Sequence, residues 1–486
     1  MRLAAGNDVP GKRMSTTASL RGAGRNPVAP QSISVAGEVL NIQQWLRVLP
    51  GKRLVGRGGW QEQQVLAKLF IANGAERHWQ RESTGVQALQ RAGIPTPDLL
   101  GSGELPGGGY YLLTEYLGDA RTLQQRWETL PDSSPASQQA QSILHDALRI
   151  IAAMHAQGIM QTDLHLGNFL QRDAQLYVID GDAIEVREPG KPLPLSDAQS
   201  NLGLFFAQLL PEWDAQLDRL LPVYLEHNPA VALQHQDVLR EVGRQRRTRL
   251  NNFLGKTLRD CSQFAVTRTA GRFCVVLRAE ADALAPLLAD PDSAFAGQSL
   301  LKDGGSSTVA RIRINERDLV VKRYNIKGVG HWLKRFWRPS RAWHSWLSGW
   351  RLSFLGIATP QPLAMIERRM GPLRREAWLI TEYCAGDNLL QRLGASGDEL
   401  PEQSTADALL QVFNQLHQAR ISHGDCKATN LLWHGHQVYL IDLDAMQAHG
   451  DESGWRKGWA RDRARFIRNW RADSALAEWL ERALPR

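Results

Sequence analysis

Apolar and polar positions along the chain alternate in two recurring ways. The short runs VLAKLF (Val65–Phe70) and LVVKRY (Leu319–Tyr324) are β-rich, each with one central lysine among apolar neighbours, and predict strands. Ser142–His155 and Thr405–His417 carry apolar residues at helical spacing and predict amphipathic helices. LYVID (Leu176–Asp180) and VYLID (Val438–Asp442) read as buried strands that end in an acid. Each half of the chain is therefore expected to be α+β: a small β-led lobe, a linker strand at LTEY or ITEY, and a larger helical lobe bearing a polar loop and a short hairpin.

The two halves repeat one another. Besides the lysine strands, GIPTP (Gly93–Pro97) answers GIATP (Gly356–Pro360), and LLTEY ending at Tyr116 answers LITEY ending at Tyr383. MHAQGIMQTDLHLGNFL (Met154–Leu170) matches LHQARISHGDCKATNLL (Leu416–Leu432), and VIDGDAI (Val178–Ile184) matches LIDLDAM (Leu440–Met446). The offsets lie between 254 and 267 residues, which predicts two homologous domains rather than a short-period solenoid. The expected boundaries are a disordered lead-in at 1–36, rich in Gly, Ser, Thr, Ala and Pro, a domain at 37–255, a junction at 256–297, and a domain at 298–486.

Composition narrows the class. The 486 residues hold 58 Lys+Arg against 50 Asp+Glu, a net charge of +8, with 43% hydrophobic residues, as in ordinary globular domains. Four scattered cysteines (Cys261, Cys274, Cys384, Cys426) form no CxxC pair, so a disulfide scaffold and a structural zinc site are not expected, and the thiols read as reduced, in a cytoplasmic protein. No apolar run has the length of a signal peptide core or a membrane span.

The chemistry lies in the repeated landmarks. Lys68 and Lys322 sit on strands, Asp163 and Asp425 each precede an asparagine (Asn168, Asn430) by five residues, and Asp180 and Asp442 follow twelve later. A strand lysine, a D-x4-N loop and a strand-end acid form a phosphoryl-transfer constellation. The ammonium offsets the charge on the phosphates of ATP, Asn and the second Asp offer hard oxygens to Mg²⁺, and the first Asp accepts the proton of an attacking hydroxyl. His155, His417 and His423 read as packing or loop-bracing residues, with Gln161 at the position of His423. Asp182 and Asp444 read either as hairpin hydrogen-bonding acids or as metal contacts.

These motifs, with HWQRE around Glu82, TDLHLGN, HGDCKATN and the VIDGD and LIDLD strands, resemble the bacterial lipopolysaccharide core kinases, the Kdo and heptose kinases of protein-kinase-like fold. The resemblance runs from about Gly37 onward, twice over. It implies ATP- and Mg²⁺-dependent phosphorylation of a heptose or Kdo hydroxyl in the lipopolysaccharide core or a lipid A precursor, on the cytoplasmic side of the inner membrane.

Each half departs from the pattern once. The phosphate loop is Gly304, Gly305, Ser306, Ser307 in the second half but Pro50, Gly51, Lys52, Arg53 in the first, so the second has the better glycine cradle. The helix glutamate that should orient the lysine is Glu82 in the first half and Ser345 in the second. These defects motivate a rival reading as a pseudokinase scaffold. A protein Ser/Thr or Tyr kinase is disfavoured because no long activation segment follows Asp180 or Asp442.

Charge is also localised. Leu319–Ile366 holds eight bases, no acid, and Trp332, Trp337, Trp343, Trp346 and Trp350; Gly454–Trp470 adds six bases against Asp462. This composition suits an anionic membrane surface or lipid A phosphates, with core packing of the tryptophans as the competing expectation. No nucleic-acid-binding signature is present.

Overall fold

The computed structural model describes residues 15–296, 300–325, 338–371 and 373–486. The chain divides into two compact units between Arg246 and Arg247. The division falls within the helix His235–Lys256. Val238 and Val242 of that helix sit in the first unit's large core, whereas Leu250 and Leu254 pack with Phe264 and Trp346 of the second.

The first unit opens on a six-stranded antiparallel sheet of β1 (Gln31–Val35), β2 (Glu38–Leu49), β3 (Arg53–Trp60), β4 (Gln63–Phe70), β5 (Leu99–Glu104) and β6 (Tyr110–Glu115), in the order β1-β2-β3-β4-β6-β5. Strand alternation sends Val65, Ala67 and Leu69 into the core of this lobe and turns Lys68 to the opposite face. The helix Glu76–Arg91 connects β4 to β5. The second lobe is built on the helix Gln138–Ala156, the hairpin Phe169–Arg172/Gln175–Val178 and the helix Leu195–Phe206, around a core that includes Leu144, Leu148, Ile151 and Phe205.

The second unit repeats this plan with seven strands: β7 (Phe264–Arg268), β8 (Arg272–Leu277), β9 (Leu300–Gly304), β10 (Ser307–Ile314), β11 (Arg317–Tyr324), β12 (Pro362–Met370) and β13 (Leu373–Glu382). Their order is β7-β8-β12-β13-β11-β10-β9. Five strands correspond in both sheets. The first unit adds β1 at one edge; the second adds β7 and β8 at the other. Its helical lobe holds the helix Gln403–Gln418, the hairpin Leu431–His434/Gln437–Leu440 and the helix Glu452–Ile467.

Two expected boundaries are corrected. Within the 1–36 lead-in, the described residues from Ser15 onward are structured. Leu20 of the helix Thr17–Arg21 is buried, and β1 pairs along its length with β2, burying Ile33 and Val35. The 256–297 junction belongs to the second unit's sheet, because β8 pairs with β12 and buries Phe273, Val275 and Val276. In both places polar and small residues hide a short alternating run.

The described tryptophans of the basic segment, Trp343, Trp346 and Trp350, resolve in favour of the core. Trp346 and Trp350, on the helix Arg341–Phe354, are buried, and Trp343 packs on Phe273. Trp455, Trp459 and Trp470 are buried in the helical lobe. Burying a large apolar side chain contributes roughly 1.5–3 kcal/mol, so these rings serve the fold rather than a wet boundary. Trp332, Trp337, Lys327, Lys334 and Arg335 lie outside the described residues. Among the described residues no helix is long and apolar enough to cross a membrane.

Candidate active sites

In the first unit Lys68, on β4, is largely buried and pairs with Glu82. Its ammonium also lies 3.7 Å from Asp180 Oδ1. Glu82 is 1% exposed and receives two main-chain donors from the turn after the acid strand: Gly181 N–H at 3.0 Å and Asp182 N–H at 3.3 Å. One carboxylate thus ties the lysine strand, its own helix and the Asp180 turn together. Asp180 adopts the left-handed conformation (φ 72°), which turns the chain sharply where the strand ends.

The D-x4-N loop is joined to the same turn. Asn168 is buried; its side-chain amide donates to the Asp163 carbonyl at 2.7 Å, and its own carbonyl accepts from Ile179 N–H at 2.9 Å. The Asp163 side chain is 68% exposed, with His165 Nε2 at 3.9 Å. All of the first unit's expected residues, Lys68, Glu82, Asp163, Asn168 and Asp180, are therefore brought into one linked network.

The second unit keeps the loop but not the lysine arrangement. Asn430 donates to the Asp425 carbonyl at 2.9 Å and accepts from Ile441 N–H at 3.0 Å, and Asp442 is again left-handed (φ 61°). Lys322 pairs directly with Asp442. At the glutamate position Ser345 is buried and shares a 2.8 Å hydrogen bond with the Tyr324 hydroxyl, and Lys322 lies 4.9 Å above the Tyr324 ring. Burial works against the Lys322 ammonium, but Tyr324 and Asp442 outweigh it and raise its pKa. Burial likewise opposes ionisation of Asp442; the Lys322 charge prevails and lowers its pKa. Asp444 is raised by burial and by the Asp442 charge, and Arg341 pairs with it. Asp425 is held by Lys427 at 2.6 Å.

Lys322, Asn430 and Asp442 line a cavity of about 300 Å³ whose other walls include Val309, Leu379, Leu432 and Ile441. The turn at Gly304, Gly305 and Ser306 closes β9 onto β10. A Cβ at Gly305 would meet open space and neither glycine has positive φ, so these glycines leave room above the turn rather than relieve strain. In the first unit Gly51 does need its positive φ (66°) at the β2–β3 turn, and the glycine-rich stretch Gly56–Gly59 lies within β3.

The histidines act as braces. His155 is buried between the Tyr224 hydroxyl and Asn201 Oδ1, each at 3.0 Å, and burial pushes its pKa down to about 4. His423 Nε2 lies 2.9 Å from the Ile441 carbonyl, and Gln161 Nε2 donates to the equivalent Ile179 carbonyl at 2.7 Å. The loop brace is thus present in both units, carried by different side chains. Sequence reasoning missed four residues. Asp462 accepts the His423 and Gly424 N–H groups, and Asn201 donates to the Gln161 carbonyl at 2.8 Å. Tyr324 and Arg341 are the others. Asp462, Asn201 and Arg341 lie outside the repeated motifs, and Tyr324 ends the lysine strand without a polar counterpart at Phe70, so proximity reveals their roles. Asp182 is engaged by Arg81 at 3.3 Å and His78 at 3.4 Å.

The model of the lipopolysaccharide kinase (Kdo/WaaP) family matches the chain twice, at residues 59–191 and 332–468. The chain belongs to that family. The two matches bear out the expected tandem copies, and membership makes the protein a lipopolysaccharide kinase, a phosphotransferase with an alcohol group as acceptor. Among solved structures, WaaP in complex with acyl carrier protein is similar at 20% identity, with a TM-score of 0.32, over 43% of this chain and 88% of that one. Vaccinia related kinase 3 is similar at 12% identity, with a TM-score of 0.27, over 48% and 80%. No curated protein matches. For this lipopolysaccharide kinase the family matches cover Glu82, both D-x4-N loops and both terminal acids; Lys68 falls inside the first match and Lys322 before the second.

Proposed function

We propose that the first unit transfers the γ-phosphoryl group of ATP to a heptose or Kdo hydroxyl of the lipopolysaccharide inner core, and that the second unit binds nucleotide. The observation that carries this reading is the Lys68–Glu82–Asp180 network, which has no carboxylate counterpart at Ser345. Asp163 is also open to an acceptor, whereas Asp425 is engaged by Lys427.

The side chains fit the cofactors. Asn168 and Asp180 are hard oxygen donors, a small set suited to Mg²⁺, which keeps several waters and shares phosphate oxygens. When bound, the ion would neutralise charge on the β- and γ-phosphates. Lys68 holds the phosphates, and Glu82 fixes the lysine. Asp163 accepts the proton of the sugar hydroxyl as its oxygen bonds to the γ-phosphorus and the bond to the bridging oxygen of ADP breaks.

Peripheral association with an anionic membrane rests on the helix Glu452–Ile467 and the residue after it, where Lys457, Arg461, Arg465 and Arg468 are exposed. The test of the reading is phosphorylation of purified core lipopolysaccharide by the full chain with Mg-ATP. Asp163→Asn should remove nearly all turnover and Asp425→Asn little. Loss in Asp425→Asn alone would reverse the assignment, and full activity in the double variant would overturn the mechanism.

A further inference from the structure

The cavity of the second unit carries more positive charge than the lysine motif accounts for. Four charged side chains line it: Lys302, Lys322, Glu382 and Asp442. Glu382 is engaged by Arg317 at 3.0 Å. Asp442 alone thus faces two lysines, and among the described residues Lys302 forms no ion pair. Asp444 is balanced by Arg341, which also donates to the Ser306 carbonyl at 3.1 Å and so fastens the phosphate turn to the acid turn.

The first unit has a cation at the same register, Arg47 opposite Val55 as Lys302 is opposite Val309, but there Lys68 faces two carboxylates, Glu82 and Asp180. Of the turn cations there, Arg53 lies over the Phe70 ring and Lys52 is exposed at the tip. Charge accounting then separates the two clefts. A polyphosphate brings about four negative charges and ordinarily needs a divalent ion to approach a carboxylate. With two ammonium groups against one carboxylate, the second cleft can compensate part of that charge itself.

We propose that the second unit binds a nucleoside polyphosphate without a divalent metal, with Lys302 as a phosphate-binding residue beside Lys322 and Arg341 as the positioning residue that holds the Ser306 turn over the phosphates. This rests on the reading of the cavity as a nucleotide site. It makes the second unit a nucleotide sensor whose occupancy follows ATP rather than Mg-ATP.

The experiment titrates the full chain with the fluorescent nucleotide mant-ATP in excess EDTA and again in Mg²⁺. Binding is expected to persist in EDTA, and Lys302→Ala, on an exposed strand position that spares the core, should weaken it about tenfold, as for loss of a charge-assisted hydrogen bond. Arg341→Lys should weaken it less, with an unchanged unfolding midpoint as the control for folding. Binding that needs Mg²⁺, or EDTA-resistant binding indifferent to Lys302, would overturn the inference while leaving the nucleotide site standing. No binding in either condition would overturn the nucleotide site itself.

Discussion

Gly85 and Gly181 meet main chain to main chain in the first unit. A Cβ on Gly85 would collide with the Gly181 carbonyl, and one on Gly181 with the Glu82 carbonyl. This closeness lets Glu82 receive the Gly181 and Asp182 N–H groups while it pairs with Lys68. The equivalent positions of the second unit hold Ser348 and Leu443, and there the helix presents Ser345 and Arg341 instead. Gly85→Ala is expected to push the helix off the turn, destabilising the first unit by about 1–3 kcal/mol, as overpacking does. Urea unfolding of the full chain measures this, and turnover should fall with it.

Glu82→Gln retains the shape and an acceptor for the turn but loses the charge opposite Lys68. Turnover on core lipopolysaccharide should drop about tenfold or more with little change in unfolding midpoint, since the affected term is the position of the lysine in the transition state. Wild-type turnover in this variant would remove Glu82 from the mechanism.

His155 supplies a pH dependence. Burial lowers its pKa to about 4 from the usual 6.5, so the native state excludes a proton that the unfolded chain takes up. The stability it contributes is fully present above pH 6.5 and declines as pH falls from there toward 4, by about 3 kcal/mol in all. Unfolding free energies measured from pH 7 to 4 should show this loss, and His155→Gln should flatten it.

Asp462 holds the start of the second unit's HGD loop through two main-chain N–H groups. Asp462→Ala leaves both donors buried without an acceptor, at a cost of about 1–3 kcal/mol each. The second unit's unfolding transition should move to lower denaturant while the first unit's stays in place. Equal shifts in both would argue against a local role.

Strand and helix periodicity together with the duplicated landmarks made the α+β plan, the tandem organisation and the Lys, Asp, Asn, Asp sets readable in advance. The reason is that these features depend on neighbours within a few residues, or on motif spacings that recur in both halves. β1, β7 and β8 were misread because their runs are short and interrupted by polar and small residues; β1 and β7 pair with the strand that directly follows, and β8 takes its other partner, β12, from far along the chain. The tryptophans were ambiguous for a related reason: a helix with rings and arginines reads alike whether its rings meet a core or a surface, and only packing on Phe264 and Phe273 places them.

The sequence by itself determined which chemistry the chain can attempt, because charge type and spacing are local. Tertiary structure alone decided what each lysine meets. Whether a lysine meets a carboxylate, an acid turn or a tyrosine ring depends on how near one helix can come to one turn, and two glycines set that distance in the first unit.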